Sequence, residues 1–464
     1  MKKIVSVLLG TLLGATMLLG AAACNGGGSN NTATSTSNSV TIVVNSTFQN
    51  VYQPMFDAFE EQTGYQVDAL WAADVTGQQD TMIGARNYPD IIVGGDMHMA
   101  KYSRILLDLS FLKEDADYDF DDFYDQLIAP LEEDGKLLFV PRFFNTGLLY
   151  YNKDIITDPN DYPTDEWTYE KFFEVAQKYS RNLTSSTEQD RYYGVALDNY
   201  YWGEWATLVR QSGGELMNDD GYITLDTDAA KQGIELFAKN SFGFVGGDVY
   251  TGELQPYSTS DRAYETINSG NGARIAPDAR EMGFEGFGSG QYAFQYGGHT
   301  QNIPIYRNMD AQNNNLDFDV ALLPLVKGQS GGYSRSGGEL SIDALGIYEY
   351  TDAYDAAVAF IKFMTGKDGI RMQAAAGYMP PRQSIANELL AVPKAERPAP
   401  QNLEAVFDSL NYNEILPNVS YFVDVMQSVV QLQFGELMNR VATVETVAKQ
   451  ATSLANQQIQ LMYK

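Results

Sequence analysis

Two histidines, His98 and His299, and one cysteine, Cys24, stand among sixty Asp and Glu residues. Imidazole and thiol, the commonest groups of catalytic and metal sites, are therefore mostly missing. A single thiol excludes an intramolecular disulfide and a thiolate zinc cluster. Two carboxyls flanking a glycosidic bond would suit hydrolysis, yet at this density of acids a pair occurs at any spacing, so pairs carry no information. Asp115, Asp117 and Asp119 imitate a calcium loop, but Phe120 stands where the loop needs Gly and Gln126 where it needs a bidentate Glu. Gly297-Gly298, Gly331-Gly332 and Gly337-Gly338 lack the basic residue of a phosphate loop, which argues against a nucleotide. No cofactor or metal is expected.

Binding chemistry is better represented. Aromatic residues make up 12% of the chain, and sugars offer apolar C–H faces to aromatic rings while planar polar groups take their hydroxyls. Trp71, Tyr201, Trp202 and Trp205 are the stacking candidates, whereas Trp167, at a helix start, reads as core. Gly95 and Asp96 end a strand beside an expected crevice, and His299, after Gly297-Gly298, can exchange one hydrogen bond with a hydroxyl. Gly338 leaves backbone N–H groups open to close approach. Arg142 and Arg335 point elsewhere, because guanidinium forks suit carboxylate or phosphate. Two arginines in a cleft would favour an acidic ligand; Asp68, Asp74, Asp90 or Asp96 near neutral hydroxyls would favour a plain oligosaccharide. The residues leave both open.

The elements that must position these groups follow from composition and periodicity. At 464 residues with 44% hydrophobic and 20% charged side chains the chain is long enough for more than one core. Its net charge, 31 − 60 = −29, would repel nucleic acid and an anionic membrane face. Lys2-Lys3 and the apolar run of residues 4–23 read as a secretory signal, and Ala21-Ala22-Ala23-Cys24 resembles a bacterial lipoprotein cleavage site, with Cys24 as the lipid attachment. Residues 25–39, nearly all Gly, Ser, Asn, Thr and Ala, read as a flexible tether.

From Val40 on, strand and helix signals alternate. Thr41–Asn45 is β-branched, Gln53–Gln62 carries Met55, Phe56 and Phe59 at helical spacing, Gly64 stops it, and Tyr65–Trp71 resumes a strand. Pro89–Val93 is the next strand. Such β-α-β order predicts parallel strands with ligands at their carboxyl ends. Gly135–Tyr151 reads as two extended pieces around Pro141, Trp167–Tyr179 as a helix started near Thr164 or Asp165, Asn218–Gly221 as a turn, and Asp226–Phe237 as a helix. Asp317–Leu323 is an expected strand, Ala353–Met364 a striped helix, and Tyr421–Met462 a helical tail.

In this order the pieces resemble the family 1 extracellular solute-binding proteins, the maltose-binding-protein-like receptors of bacterial ABC importers. The resemblance rests on Phe59–Val67, Pro89-Asp90-Ile91-Ile92, Gly135-Lys136 with Val140-Pro141, Leu149–Asp154, Glu166–Glu170, Gly213-Gly214, Ala321–Pro324, Ala359–Thr365, Gly377 with Pro380, and Ile415–Asn418. It implies an α/β fold of the periplasmic-binding-protein type II kind, two discontinuous lobes with a hinge and a ligand cleft between them. The matched motifs place a signal peptide at 1–23, a tether at 24–39, an N-terminal lobe at 40–141 plus 324–367 and a C-terminal lobe at 142–323 plus 368–464. The implied function is capture of a carbohydrate, an oligosaccharide, for delivery to a membrane permease, by a lipid-anchored monomer on the outer side of the cell membrane with no catalysis of its own. A receptor for an acidic compound or peptide and a secreted glycoside hydrolase are the alternatives. Where maltose-type members carry a stacking tryptophan this chain has His299-Thr300, so maltodextrin itself is not the expectation.

Overall fold

The β-branched run after Ser39 forms β1 (Ser39–Asn45), which buries Val40, Ile42, Val43 and Val44 and pairs in parallel with β2 (Gln66–Ala72) along its whole length, from Ser39↔Gln66 to Asn45↔Ala72. Helix α1 (Gln49–Thr63) crosses between them. Its buried residues Tyr52, Met55, Phe56 and Phe59 recur every three or four positions, and Gly64 closes it in the left-handed region, φ 77°, donating its N–H to Glu60 O. Helix α2 (Val75–Gly84) begins at Asp74, whose carboxylate accepts from the Gly77 N–H, and leads to β3 (Ile91–Gly95), which joins β1 in parallel. The structure is a computed structural model that describes residues 37–182, 187–196, 203–242, 275–276, 286–311, 316–438 and 442–463. Cys24, Tyr201, Trp202 and the signal-like segment lie outside these residues.

The next long element is one strand where two pieces are expected. β4 runs unbroken from Val140 to Asn152 and is buried throughout. Helix α3 (Tyr169–Tyr179) follows, capped by the Thr168 hydroxyl rather than by Thr164 or Asp165. Then come β5 (Tyr193–Ala196), α4 (Glu204–Gln211), α5 (Asp228–Phe242), β6 (Tyr292–His299), β7 (Phe318–Ala321) and β8 (Glu339–Ile347). Helices α6 (Tyr354–Met364), α7 (Lys367–Ala375) and α8 (Val444–Met462) complete the long elements used below. Pro141 lies opposite Ala344, at a register shift between Asp343 and Ala344 of β8. A proline donates no hydrogen bond, and the shifted ladder accommodates its ring without ending the strand.

These strands make one mixed sheet in the order β2-β1-β3-β8-β4-β6-β5, with β7 added on β4 and Glu414-Ile415 on β8. β4 has two sets of partners. Its Val140–Thr146 half pairs with β8, and its Gly147–Asn152 half pairs with β6 and β7. Alternate side chains of the second half also part company: Leu148 and Tyr150 join one hydrophobic core, Leu149 and Tyr151 another. The first core gathers β1, β3, β8, α1 and α6, together with Met379, Ala386, Val406, Phe407 and Leu410. The second gathers α3, α4, α5 and α8.

Candidate functional site

The carboxyl ends of β1, β2 and β3 converge with the start of β8 on the segment where β4 changes partners. Gly95, at φ 156°, is held there because a Cβ would lie 1.7 Å from Ile342 O. That close approach lets Asp96 Oδ1 accept the Ile342 N–H at 2.7 Å, while Oδ2 has no hydrogen-bond partner. Burial pushes the Asp96 carboxyl up to about 7, with the Asp343 charge adding to it and backbone hydrogen bonds opposing it.

Beside it sits an ion pair. Arg142, buried on β4, donates from Nη2 to Asp343 Oδ1 at 3.1 Å, and Asn145 Nδ2 donates to the other carboxylate oxygen at 3.4 Å. The Arg142 guanidinium lies 5.2 Å from the Tyr52 ring centre and 4.8 Å from that of Phe143. Tyr378 packs against Phe143 with ring centres 4.5 Å apart and meets Phe48 edge-on at 6.0 Å, so an aromatic wall backs the pair.

Across the change of partners lies the end of β6. Burial lowers the His299 imidazole to about 4, which keeps it neutral; neither ring nitrogen has a hydrogen-bond partner, and Nε2 lies 3.6 Å from the Glu339 carboxylate. Asn413 Nδ2 donates to Thr146 Oγ1 at 2.6 Å and to Gly147 O at 2.8 Å, Thr146 Oγ1 meets Ser409 Oγ at 2.7 Å, and the Thr146 N–H donates to Thr300 Oγ1 at 3.1 Å. A Cβ on Gly338 would fall 2.3 Å from Asn413 Oδ1, so this glycine serves the packing of the crossing strands. A separate cavity of about 350 Å³ opens between Arg210 at the end of α4, residues 214–221 and residues 414–419. Next to it Asn418 Oδ1 accepts the Ala100 N–H at 3.1 Å.

The sequence-derived candidates thus divide. Gly95, Asp96, Arg142, His299 and Gly338 are brought to the crossing strands. Trp71, at the end of β2, is half-buried and lies 6.0 Å from Phe56. Trp205 is a core residue: it is 1% exposed and stacks on Phe434 at 4.0 Å, so the expected ligand face is covered. Its place inside the amphipathic α4 sets this, since the aromatic stretch that looks like one unit in sequence changes into helix at Glu204. Arg335 binds backbone carbonyls, Nε to Leu323 O at 2.9 Å and Nη2 to Asp165 O, and so braces a loop. Asp343, Asn145, Tyr52 and Tyr378 were not singled out from the sequence. The alternation of polar Glu339, Ser341 and Asp343 with apolar Leu340 and Ile342 was the signal available for the first of them.

Among the described residues no group of three or more His, Cys, Asp or Glu is placed to hold a metal ion, and no helix is long and apolar enough to cross a membrane. The family model for bacterial extracellular solute-binding proteins matches residues 54–399. Curated protein sequences give no match. Among solved structures the chain is similar to an ABC substrate-binding protein from Listeria monocytogenes in complex with cycloalternan, with TM-score 0.71, 19% identity, and 91% of this chain and 99% of that one covered. It is also similar to a maltose-bound protein of T. maritima, with TM-score 0.65, 18% identity and coverage of 90% and 99%. A receptor of Streptomyces glaucescens determined with acarbose gives TM-score 0.65, 18% identity and coverage of 92% and 100%. The mixed sheet with its two cores is the two-lobe fold expected from the sequence.

Proposed function

Because the chain belongs to the bacterial extracellular solute-binding protein family, we propose that it is the receptor of an ABC importer and that its ligand is a neutral carbohydrate, an oligosaccharide held between the lobes. The similar structures hold cycloalternan, maltose and acarbose. The observation that carries neutrality is the state of the two arginines. Arg142 is already paired with Asp343, and Arg335 is turned to backbone carbonyls. An acidic solute at Arg142 or Arg335 would have to break one of these arrangements, whereas hydroxyls can add to Asp343, Asn145 and Asp96 without displacing a charge.

In this reading lobe closure is a hinge motion around β4 and β8, sensed by the permease. We place the crossings in β4 near Thr146 and Gly147, at the start of β8, and near Asn413 rather than near Pro141, Pro324 and Lys367 as the sequence motifs suggest, since Phe407 and Leu410 pack in the first core and Leu416 in the second. Trp71, Tyr201 and Trp202 are the stacking residues. The chain acts as a monomer, carries out no covalent chemistry, and is anchored outside the cell membrane through a lipid on Cys24.

A thermal-shift screen of residues 40–464 against oligosaccharides, sugar acids, amino acids and peptides tests the reading. Ligand at about a hundred times its dissociation constant adds roughly 2.7 kcal/mol, which raises the melting point by a few degrees. A shift with neutral oligosaccharides that Trp71→Ala weakens supports the proposal. A shift confined to sugar acids or peptides overturns the ligand class, and release of shorter sugars on incubation overturns the receptor in favour of a hydrolase.

A further inference from the structure

At the end of the first lobe opposite the proposed cleft, three tyrosines stand together. Tyr88 and Tyr348 stack at 4.2 Å with rings 4° from parallel, and Tyr350 meets Tyr348 edge-on at 5.8 Å. Tyr350 is 73% exposed, a high value for so large a ring. Asp90 ties the group together: its backbone O accepts the Tyr348 N–H, and its carboxylate accepts the Thr351 hydroxyl and the Thr41 N–H. The amino ends of β1 and β3 and the carboxyl end of β8 meet here, so the seven residues of β1 separate the patch from the cleft by about 20 Å.

The chain enters the described structure at this same place. The Ser37 N–H donates to Asp352 O at 3.2 Å, two residues beyond Tyr350. Cys24 precedes Ser37 by 37 − 24 = 13 residues, which can span at most about 45 Å. If Cys24 carries the lipid, this end of the lobe is the part held nearest the bilayer, at the high local concentration that a short link supplies. Tyrosine has the chemistry for that boundary, an apolar ring with a wet hydroxyl.

We infer that the Tyr88, Tyr348 and Tyr350 patch rests on the bilayer surface and turns the cleft away from the membrane while the receptor waits for solute. The inference builds on the proposed lipid at Cys24. The exposed Glu349, Asp352 and Asp355 beside the patch oppose anionic headgroups, so the surface it fits is a neutral, zwitterionic one. Delivery to a permease then requires the receptor to lift off and turn over.

Tyrosine iodination read by peptide mass spectrometry tests this on the full mature chain, acylated at Cys24 and bound to phosphatidylcholine vesicles. Tyr333, 53% exposed on the hairpin that pairs Val326-Lys327 with Tyr333-Ser334, is the internal control. Tyr350 should react roughly threefold more slowly on vesicles than in detergent-free solution, the protection given by a patch docked about two thirds of the time, with Tyr333 unchanged. Vesicles rich in anionic lipid should reduce that protection. Equal rates for Tyr350 with and without vesicles overturn the inference, and protection that needs permease subunits in the vesicles overturns it in favour of a protein contact. Mass spectrometry of Cys24 decides the lipid separately. If Cys24 is unmodified the anchor reading fails, and the same rates measured on chain coupled through Cys24 to a maleimide lipid still decide the surface.

Discussion

At the scale of single residues the two partners of the Arg142–Asp343 pair are not equivalent, and the difference is measurable. Arg142 has a side chain 8% exposed, Asp343 one 34% exposed. Asp343→Ala therefore strands a buried guanidinium and costs about 3 kcal/mol, whereas Arg142→Met leaves a carboxylate that water can reach and costs roughly half of that. Urea unfolding of the two variants gives the order. Asp96 and His299 tilt the pH profile in opposite directions. The Asp96 carboxyl is raised from 3.8 to about 7, so the folded state holds a proton the unfolded chain releases, and stability falls as pH rises from about 4 to 7. The His299 imidazole is lowered from 6.5 to about 4, so the unfolded chain takes the proton first, and stability falls as pH drops from 6.5 toward 4. Asp96→Asn should remove up to about 4 kcal/mol of the neutral-side loss, and His299→Gln up to about 3 kcal/mol of the acid-side loss. Unfolding midpoints at pH 4.5, 6 and 7.5 check both signs. None of these values was legible in the sequence, because burial causes both shifts and burial is set by the fold, not by neighbours along the chain.

At the scale of elements, local patterning was enough where an element buries one face. Helix α1 shows its apolar stripe and its Gly64 stop in the sequence, and both are found as expected. Gly64→Ala should cost about 1 kcal/mol, since open space surrounds the site and only the left-handed φ resists. Gly95→Ala should cost more, because the new Cβ meets the Ile342 carbonyl and β3 and β8 must separate; a variant as stable as the parent would contradict the close approach. Tertiary partners decided two other elements. Pro141 argued for a break in β4, and the register shift beside it, which leaves Arg142 unpaired between the partners of Asp343 and Ala344, removes the need for one. Trp205 looked like part of a ligand-facing aromatic run, and α4 instead turns it onto Phe434. Trp205→Ala should lower stability by about 3 to 5 kcal/mol, as for other large core truncations.

At the scale of the whole molecule the two cores meet along β4 and at Asn413, which ties Thr146 and Gly147 to the segment that joins β8. Asn413→Ala removes both hydrogen bonds and should cost roughly 1 to 3 kcal/mol. Its fuller effect belongs to the hinge. With the tie gone, the radius of gyration measured by small-angle scattering should respond differently to saturating oligosaccharide than in the parent, where ligand should contract the molecule. An identical contraction in both would place the hinge elsewhere.

The sequence by itself determined what depends on neighbours along the chain: the alternation of strands and helices, the stop that Gly64 provides, and the ordered motifs by which the two-lobe fold was expected. Charge and composition also follow from counting alone. Only the tertiary structure decided which side chains face which. Arg142 reaches Asp343 across 201 positions, Asn413 reaches Thr146 across 267, and the Ser37 N–H reaches Asp352 beside the tyrosine patch. Such pairings arise from the crossing of discontinuous segments, where the energy of a contact depends on a geometry no local window of sequence contains.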